Sequence, residues 1–225
     1  RYDIFNDHST LDGELRQIVS RGNYSYEFMK ENFSGYKHHD TVYISANPYV
    51  EKLEDDIFYT VNSVVDDWDS QTGTVLPNDV TEQAIKTAKK YPNKRLVIHY
   101  MQPHTPHLGN IAQNINTGGW DKYAGNPDKE KKPDGISIWD AYRQGIINKE
   151  QLRESYIQTL HIVEDEVEKL VGEIKGKTVV SADHGENLGE KYFTKEVFGH
   201  GKGRVTQDTE ECLLVPWLVL DFDER

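Results

Sequence analysis

Residues 178–203, TVVSADHGENLGEKYFTKEVFGHGKG, constrain the fold more than any other stretch of this chain. The β-branched run Thr178, Val179 and Val180 reads as a short buried strand, and it delivers Asp183 and His184 at its carboxyl end. In open α/β sheets ligands bind at that edge, because successive loops diverge there and leave a crevice. Gly185 permits a sharp turn, Asn187 to Gly189 continue as loop, and a second histidine follows in Phe198-Gly199-His200-Gly201. One carboxylate and two imidazoles, with glycines beside both histidines, make half of a divalent-metal site. The competing reading takes Asp183 as a helix cap and the histidines as ordinary loop residues. It leaves their clustering behind one strand without a reason.

A chain of 225 residues suits a single domain, residues 1–225, with a substantial core. Hydrophobic residues make up only 36%, but the 11% that are aromatic argue for a folded chain. A net charge of −12 disfavours a nucleic-acid backbone or an anionic membrane as partner. Cys212, the sole cysteine, lies in an apolar run and excludes an intramolecular disulfide, so a cytoplasmic location is expected ahead of secretion. The sequence contains no apolar run of about 18 residues and no basic-then-apolar leader, and the chain is expected to be soluble.

In chain order, residues 11–20 and 26–33 carry apolar residues at mixed three and four spacing and are expected to form two short helices. Ser25 stands where it would cap the second. Thr41–Ser45 is a strand closed by Asn47-Pro48, and Ile57–Val65 is a weaker one. The acidic Asp66-Asp67-Trp68-Asp69 lacks the glycine spacing of a calcium loop and reads as solvated surface. A helix capped by Asn78 or Asp79 runs to about Lys90, with Val80, Ala84, Ile85 and Ala88 inward. Arg95–Met101 is a buried strand, with His99 a packed histidine inside it. It ends in Gln102-Pro103-His104-Thr105-Pro106-His107, where prolines would hold an imidazole rigidly toward a charged oxygen. Residues 109–135 form a polar insertion expected to shape substrate access, with the charge run 129–132 solvated. Between Lys149 and Ile174, Leu152, Tyr156, Leu160, Val163, Val167, Leu170 and Val171 define the inner face of a long amphipathic helix. His161, Glu164, Asp165, Glu166 and Glu168 fall mainly on its solvent side. A last strand spans Cys212–Leu220 with Val215-Pro216 inside it.

The string SADHGENLGE followed by FGHG resembles the SDHGE…LGE…(F/W)GHG signature of the sulfatase-like branch of the alkaline phosphatase superfamily. The order of strand, His-x-Pro loop, insertion, long helix, Asp-His strand, Gly-His-Gly loop and closing Val-Pro strand is similar too. The resemblance implies an α/β three-layer sandwich with a mixed, mostly parallel central sheet. It implies Asp183 and His184 as ligands of a divalent ion (Mn, Zn, Ca or Mg), with His200 either a further ligand or the proton donor to the leaving group. In His104-Thr105-Pro106 it implies His104 as a contact to the ester oxygens, with His107 beside it on substrate or metal. Ser25, at a helix start, is either the nucleophile or a plain cap. The family's first strand ends in an acidic ligand followed by an arginine, and Arg1-Tyr2-Asp3-Ile4-Phe5 looks like the segment just past it. That strand and its ligand are therefore expected upstream, since Asp3 falls on the wrong side of Arg1 to replace them. The Cys-x-Pro-x-Arg motif of cysteine-modified sulfatases is absent. The expected activity is thus metal-dependent hydrolysis or transfer on a small anionic ester, phosphate ahead of sulfate. Two alternatives stay open: an inactive domain that binds an anionic ligand, and a metal-dependent phosphomutase.

Overall fold

The structure, a computed structural model, describes residues 11–117, 135–201 and 208–221. Strand β1 (Gly13–Val19) leads into helix α1 (Ser25–Phe33), followed by β2 (His38–Ser45), β3 (Phe58–Ser63), the short β4 (Trp68–Asp69) and β5 (Thr74–Val75), α2 (Pro77–Lys90) and β6 (Arg95–His99). After α3 (Asn110–Asn114) and α4 (Ile138–Arg143), the 25-residue α5 (Lys149–Glu173) leads to β7 (Val179–Ser181). Hairpin strands β8 (Asn187–Tyr192) and β9 (Lys195–Gly199), α6 (Glu210–Leu213) and β10 (Leu214–Leu220) complete the described chain. Most of the polar insertion, residues 118–134 with the charge run 129–132, lies outside the described residues, as do Arg1 and Asp3.

The fold is α/β with mixed strand pairing. Strands β3, β2 and β6 form a parallel sheet in that order, while β1, β10 and β7 form an antiparallel one. Val42, Tyr43 and Ile44 of β2 are fully buried, as a strand flanked on both edges and covered on both faces requires. The expectation of one continuous, mostly parallel central sheet is not met among the described residues. β6 pairs with β2 and β7 with β10, and the opposite edges of β6 and β7 flank a cavity of ≈ 2210 Å³ whose lining includes Val97, Ile98, Val180, Leu160 and Val167. The same opening explains why β7, expected to be buried, leaves Val179 37% exposed.

The helix expected over residues 11–20 is instead β1. Leu15 and Ile18 stand three apart and satisfy a helical template, but the segment pairs with β10 over seven register positions, from Gly13↔Leu220 to Val19↔Leu214. Pairing with a distant strand overrides a weak local periodicity. Helix α2 starts two or three residues earlier than expected, with Leu76 as N-cap and Pro77 in the first turn, where a missing N–H costs nothing. Its Val80 packs with Ala46, Val64 and Val75, and Ala84 is buried too. Helix α5 opens with a capping box between Asn148 and Gln151 and buries Leu152, Val163, Val167 and Leu170. Glu164, expected in solvent, is 3% exposed, on a helix that packs against α2. Residues 187–189, expected as loop, begin the β8–β9 hairpin that carries the chain from Glu186 to His200. Among the described residues no helix is long and apolar enough to cross a membrane.

Candidate active site

Three chain segments meet at the carboxyl ends of β6 and β7. The turn after β1 is tied down first: Ser20 N–H donates to Leu213 O at 2.7 Å, and the Ser20 hydroxyl donates to the backbone oxygen of Asp183. Gly22 N–H donates back to Ser20 Oγ at 3.2 Å, and a Cβ at Gly22 would overlap the Phe28 amide, so the turn closes tightly onto α1. As a result the Ser25 hydroxyl faces the Asp183 carboxylate. Ser25 is the first residue of α1, and Tyr24, with no side-chain cap bond, holds the N-cap position expected for Ser25. That placement leaves the hydroxyl turned toward the site.

Asp183 Oδ1 accepts from the His184 N–H at 2.9 Å. Oδ2 is buried without a well-directed hydrogen bond; it lies 3.3 Å from His99 Nε2 and 3.7 Å from His184 Nε2. The His184 Nδ1–H donates to Gly185 O at 2.8 Å, which leaves Nε2 with its lone pair on the Asp183 side. A pair of donors roughly 3–4 Å apart can share an ion with bonds of about 2.0–2.2 Å, so Asp183 and His184 fit as two ligands of one divalent metal. Among the described residues no three His, Cys, Asp or Glu side chains form a group that could hold a metal ion.

The remaining histidines close around this pair. The ring of His200 lies 4.1 Å from that of His184 and 5.1 Å from that of His104, centroid to centroid. His200 Nδ1 faces both carboxylate oxygens of Glu186, at 3.0 and 2.9 Å. Asn187, 0% exposed, donates to Gly199 O at 2.9 Å and pins the base of the hairpin that presents His200. His104 donates from Nδ1 to Thr105 O at 2.6 Å, which fixes the ring beside His200. His107 is built differently: it is 3% exposed, with Nδ1 on Ser155 Oγ of α5 at 3.1 Å and its ring against Trp139 and Tyr156. Glu186, Ser20, His99 and Tyr43 are the site residues that sequence reasoning did not single out. Only Glu186 had a signal, its place in the Asp-His-Gly-Glu string.

Charge in the site is set by burial and mutual contact. Burial alone would raise the Asp183 pKa, but the His184 and His99 imidazoles and the Ser25 hydroxyl hold it well below the ordinary carboxylate range. Burial likewise acts to raise Glu186, and His200 reverses it, so that this carboxyl is lowered too. Burial lowers His184, against the pull of Asp183, and favours a neutral imidazole donor. His104 is pulled down to about 4, by burial first and by His200 second, and His107 to about 4 by burial.

These two depressed histidines make a stability prediction. Unfolded, each binds a proton near pH 6.5, and folded only near 4. Between those values the unfolded chain carries more protons, so stability falls as pH drops from about 6.5 to about 4, by on the order of a few kcal/mol per histidine. Thermal unfolding at pH 7, 5.5 and 4.5 should show that loss, and His107→Gln, which can keep a bond to Ser155, should shrink it. A midpoint equally acid-sensitive in the variant would contradict the burial assigned to His107.

The model of the family described as Sulfatase matches residues 17–221, most of the chain. No curated protein matches it in sequence.

Proposed function

Because the chain belongs to the sulfatase family of the alkaline phosphatase superfamily, we propose that it is a divalent-metal-dependent hydrolase or transferase of a small phosphate or sulfate ester, phosphate preferred. The convergence of Asp183 Oδ2 and His184 Nε2, 3.7 Å apart beside a serine hydroxyl, carries this reading. Such esters ring the attacked atom with negative oxygens and build charge on the leaving alkoxide. A divalent ion held by Asp183 and His184 would supply the neutralising charge and a lowered pKa for the nucleophile. Ser25 is the group placed to attack, at the first turn of α1, where the helix end favours a transferring anion. His104, its ring 5.1 Å from that of His200, stands where the ester oxygens would lie. Glu186 fixes His200 through Nδ1, so Nε2 is the atom from which a proton would pass to the leaving group. Phosphate is preferred because the residue facing the carboxylate is a serine and the modified-cysteine motif is absent.

The open edges of β6 and β7 support a further part of this reading. One more strand between them would join the two sheets into the central sheet of a three-layer sandwich. A carboxylate at its end would add a ligand beside Asp183.

The test is turnover of p-nitrophenyl phosphate and p-nitrophenyl sulfate by chelator-treated protein, before and after addition of Mn²⁺ or Zn²⁺. Metal-restored cleavage, faster on phosphate, is expected, and His104→Ala should lower it by about 10- to 100-fold with little change in thermal midpoint. Turnover indifferent to chelator would contradict the proposal. The absence of a third metal ligand among the described residues favours one rival, a domain that binds an anionic ester without cleaving it. Metal and phosphate binding with no turnover would select that rival.

A further inference from the structure

His99 stands in the apolar run Leu96-Val97-Ile98 of β6, where an imidazole is costly unless both ring nitrogens are used. Both are. Tyr43 of β2 is registered beside Val97, so its side chain shares a sheet face with that of His99, two residues further on. The Tyr43 hydroxyl lies 2.9 Å from His99 Nδ1, and His99 Nε2 lies 3.3 Å from Asp183 Oδ2 across the gap between the two sheets. Tyr43 is itself fully buried, with its ring 4.9 Å from that of Phe58 and 5.8 Å from that of Phe33.

We infer that His99, held by Tyr43, is a positioning residue that fixes the Asp183 carboxylate so that Oδ2 can share a divalent ion with His184. This rests on the metal-dependent reading above. The direction of the chain of contacts follows from chemistry. An ionised carboxylate only accepts, so the nitrogen 3.3 Å from it carries the hydrogen. In the tautomer with its hydrogen on Nε2, Nδ1 is the acceptor and the phenol its donor; burial raises the Tyr43 pKa and keeps that phenol protonated. The opposite tautomer would set two lone pairs against each other at the Asp183 end. Oδ1 is meanwhile held by the His184 N–H, and the Asp183 backbone by Ser20, so His99 completes the restraint on the side chain. Groups that orient a ligating carboxylate set metal affinity without touching the metal.

The experiment titrates Zn²⁺ and Mn²⁺ calorimetrically into the full chain and into Tyr43→Phe, His99→Gln and Asp183→Asn. Thermal unfolding checks each fold, and ¹⁵N NMR of the imidazoles reads the His99 tautomer. His99→Gln should weaken the Asp183-dependent site by about 10- to 100-fold, and Tyr43→Phe, which keeps the packed ring, by about 3-fold. Nε2 should carry the His99 hydrogen in the parent protein, with a tautomer mixture in Tyr43→Phe. If the parent binds metal through Asp183 while both variants bind equally well, the positioning role is overturned and the metal reading stands. If the parent binds no metal, or binds it equally well after Asp183→Asn, the metal reading itself fails and takes this inference with it.

Discussion

Replacing Asp183 with asparagine is expected to lower metal-dependent turnover by on the order of 1000-fold or more and to remove the specific metal site, while the protein stays folded. Asparagine keeps the shape and can still accept the His184 N–H at the Oδ1 position, so the β7 end need not rearrange. It loses the negative charge, and with its oxygen on the His184 N–H it turns an amide NH2, which cannot bind a cation, toward the His99 and His184 ring nitrogens. Each tenfold of that loss corresponds to about 1.4 kcal/mol of transition-state stabilisation. Some loss of stability is expected, because the favourable contacts that hold the buried Asp183 ionised are removed with the charge. A variant that binds Zn²⁺ and turns over substrate like the parent would show that the metal sits elsewhere. One that unfolds would show that Asp183 serves the structure.

The second large effect is structural and lies two residues on. At Gly185 an added Cβ would overlap the Glu211 carbonyl oxygen, and the Gly185 N–H donates to Cys212 O at 2.8 Å. The loop after β7 is thereby clamped against the segment entering β10, with no side chain between them. Gly185→Ala must push the two apart, carrying His184 and Glu186, its immediate neighbours, out of register with His200. We expect more than about 3 kcal/mol of destabilisation and loss of the metal site. Gly35→Ala is the control: its φ of +81 makes alanine unfavourable, but nothing lies within 4 Å of the new Cβ, and a cost of about 1 kcal/mol is expected. Urea unfolding of the two variants compares them directly. Equal costs would mean that the close approach at Gly185 does not constrain the loop.

What could be read from the residues alone was what depends on neighbours in sequence. The buried run of β2, the face of α5 and the Asp-His-Gly string after β7 all announce themselves within a dozen residues, and they place the site at a strand end. What depended on distant partners stayed hidden. β1 has a helix-like spacing at Leu15 and Ile18, and its identity is decided by β10 at the far end of the chain. Residues 187–189 read as loop because glycine interrupts them, although Gly189, at φ +85, sits at the irregularity in register between β8 and β9. His99 looked like a packed histidine, since only the spatial meeting of β2, β6 and β7 reveals that both its nitrogens are engaged. The separation of the strands into two sheets was equally invisible, because nothing in the sequence of β6 or β7 says which edge is bonded.

Zinc- or manganese-edge anomalous diffraction from crystals of the full chain soaked in the corresponding ion tests the central claim most directly. The account places the anomalous peak within about 2.0–2.2 Å of both Asp183 Oδ2 and His184 Nε2. A peak confined to exposed histidines such as His39, with no density beside Asp183, would contradict it.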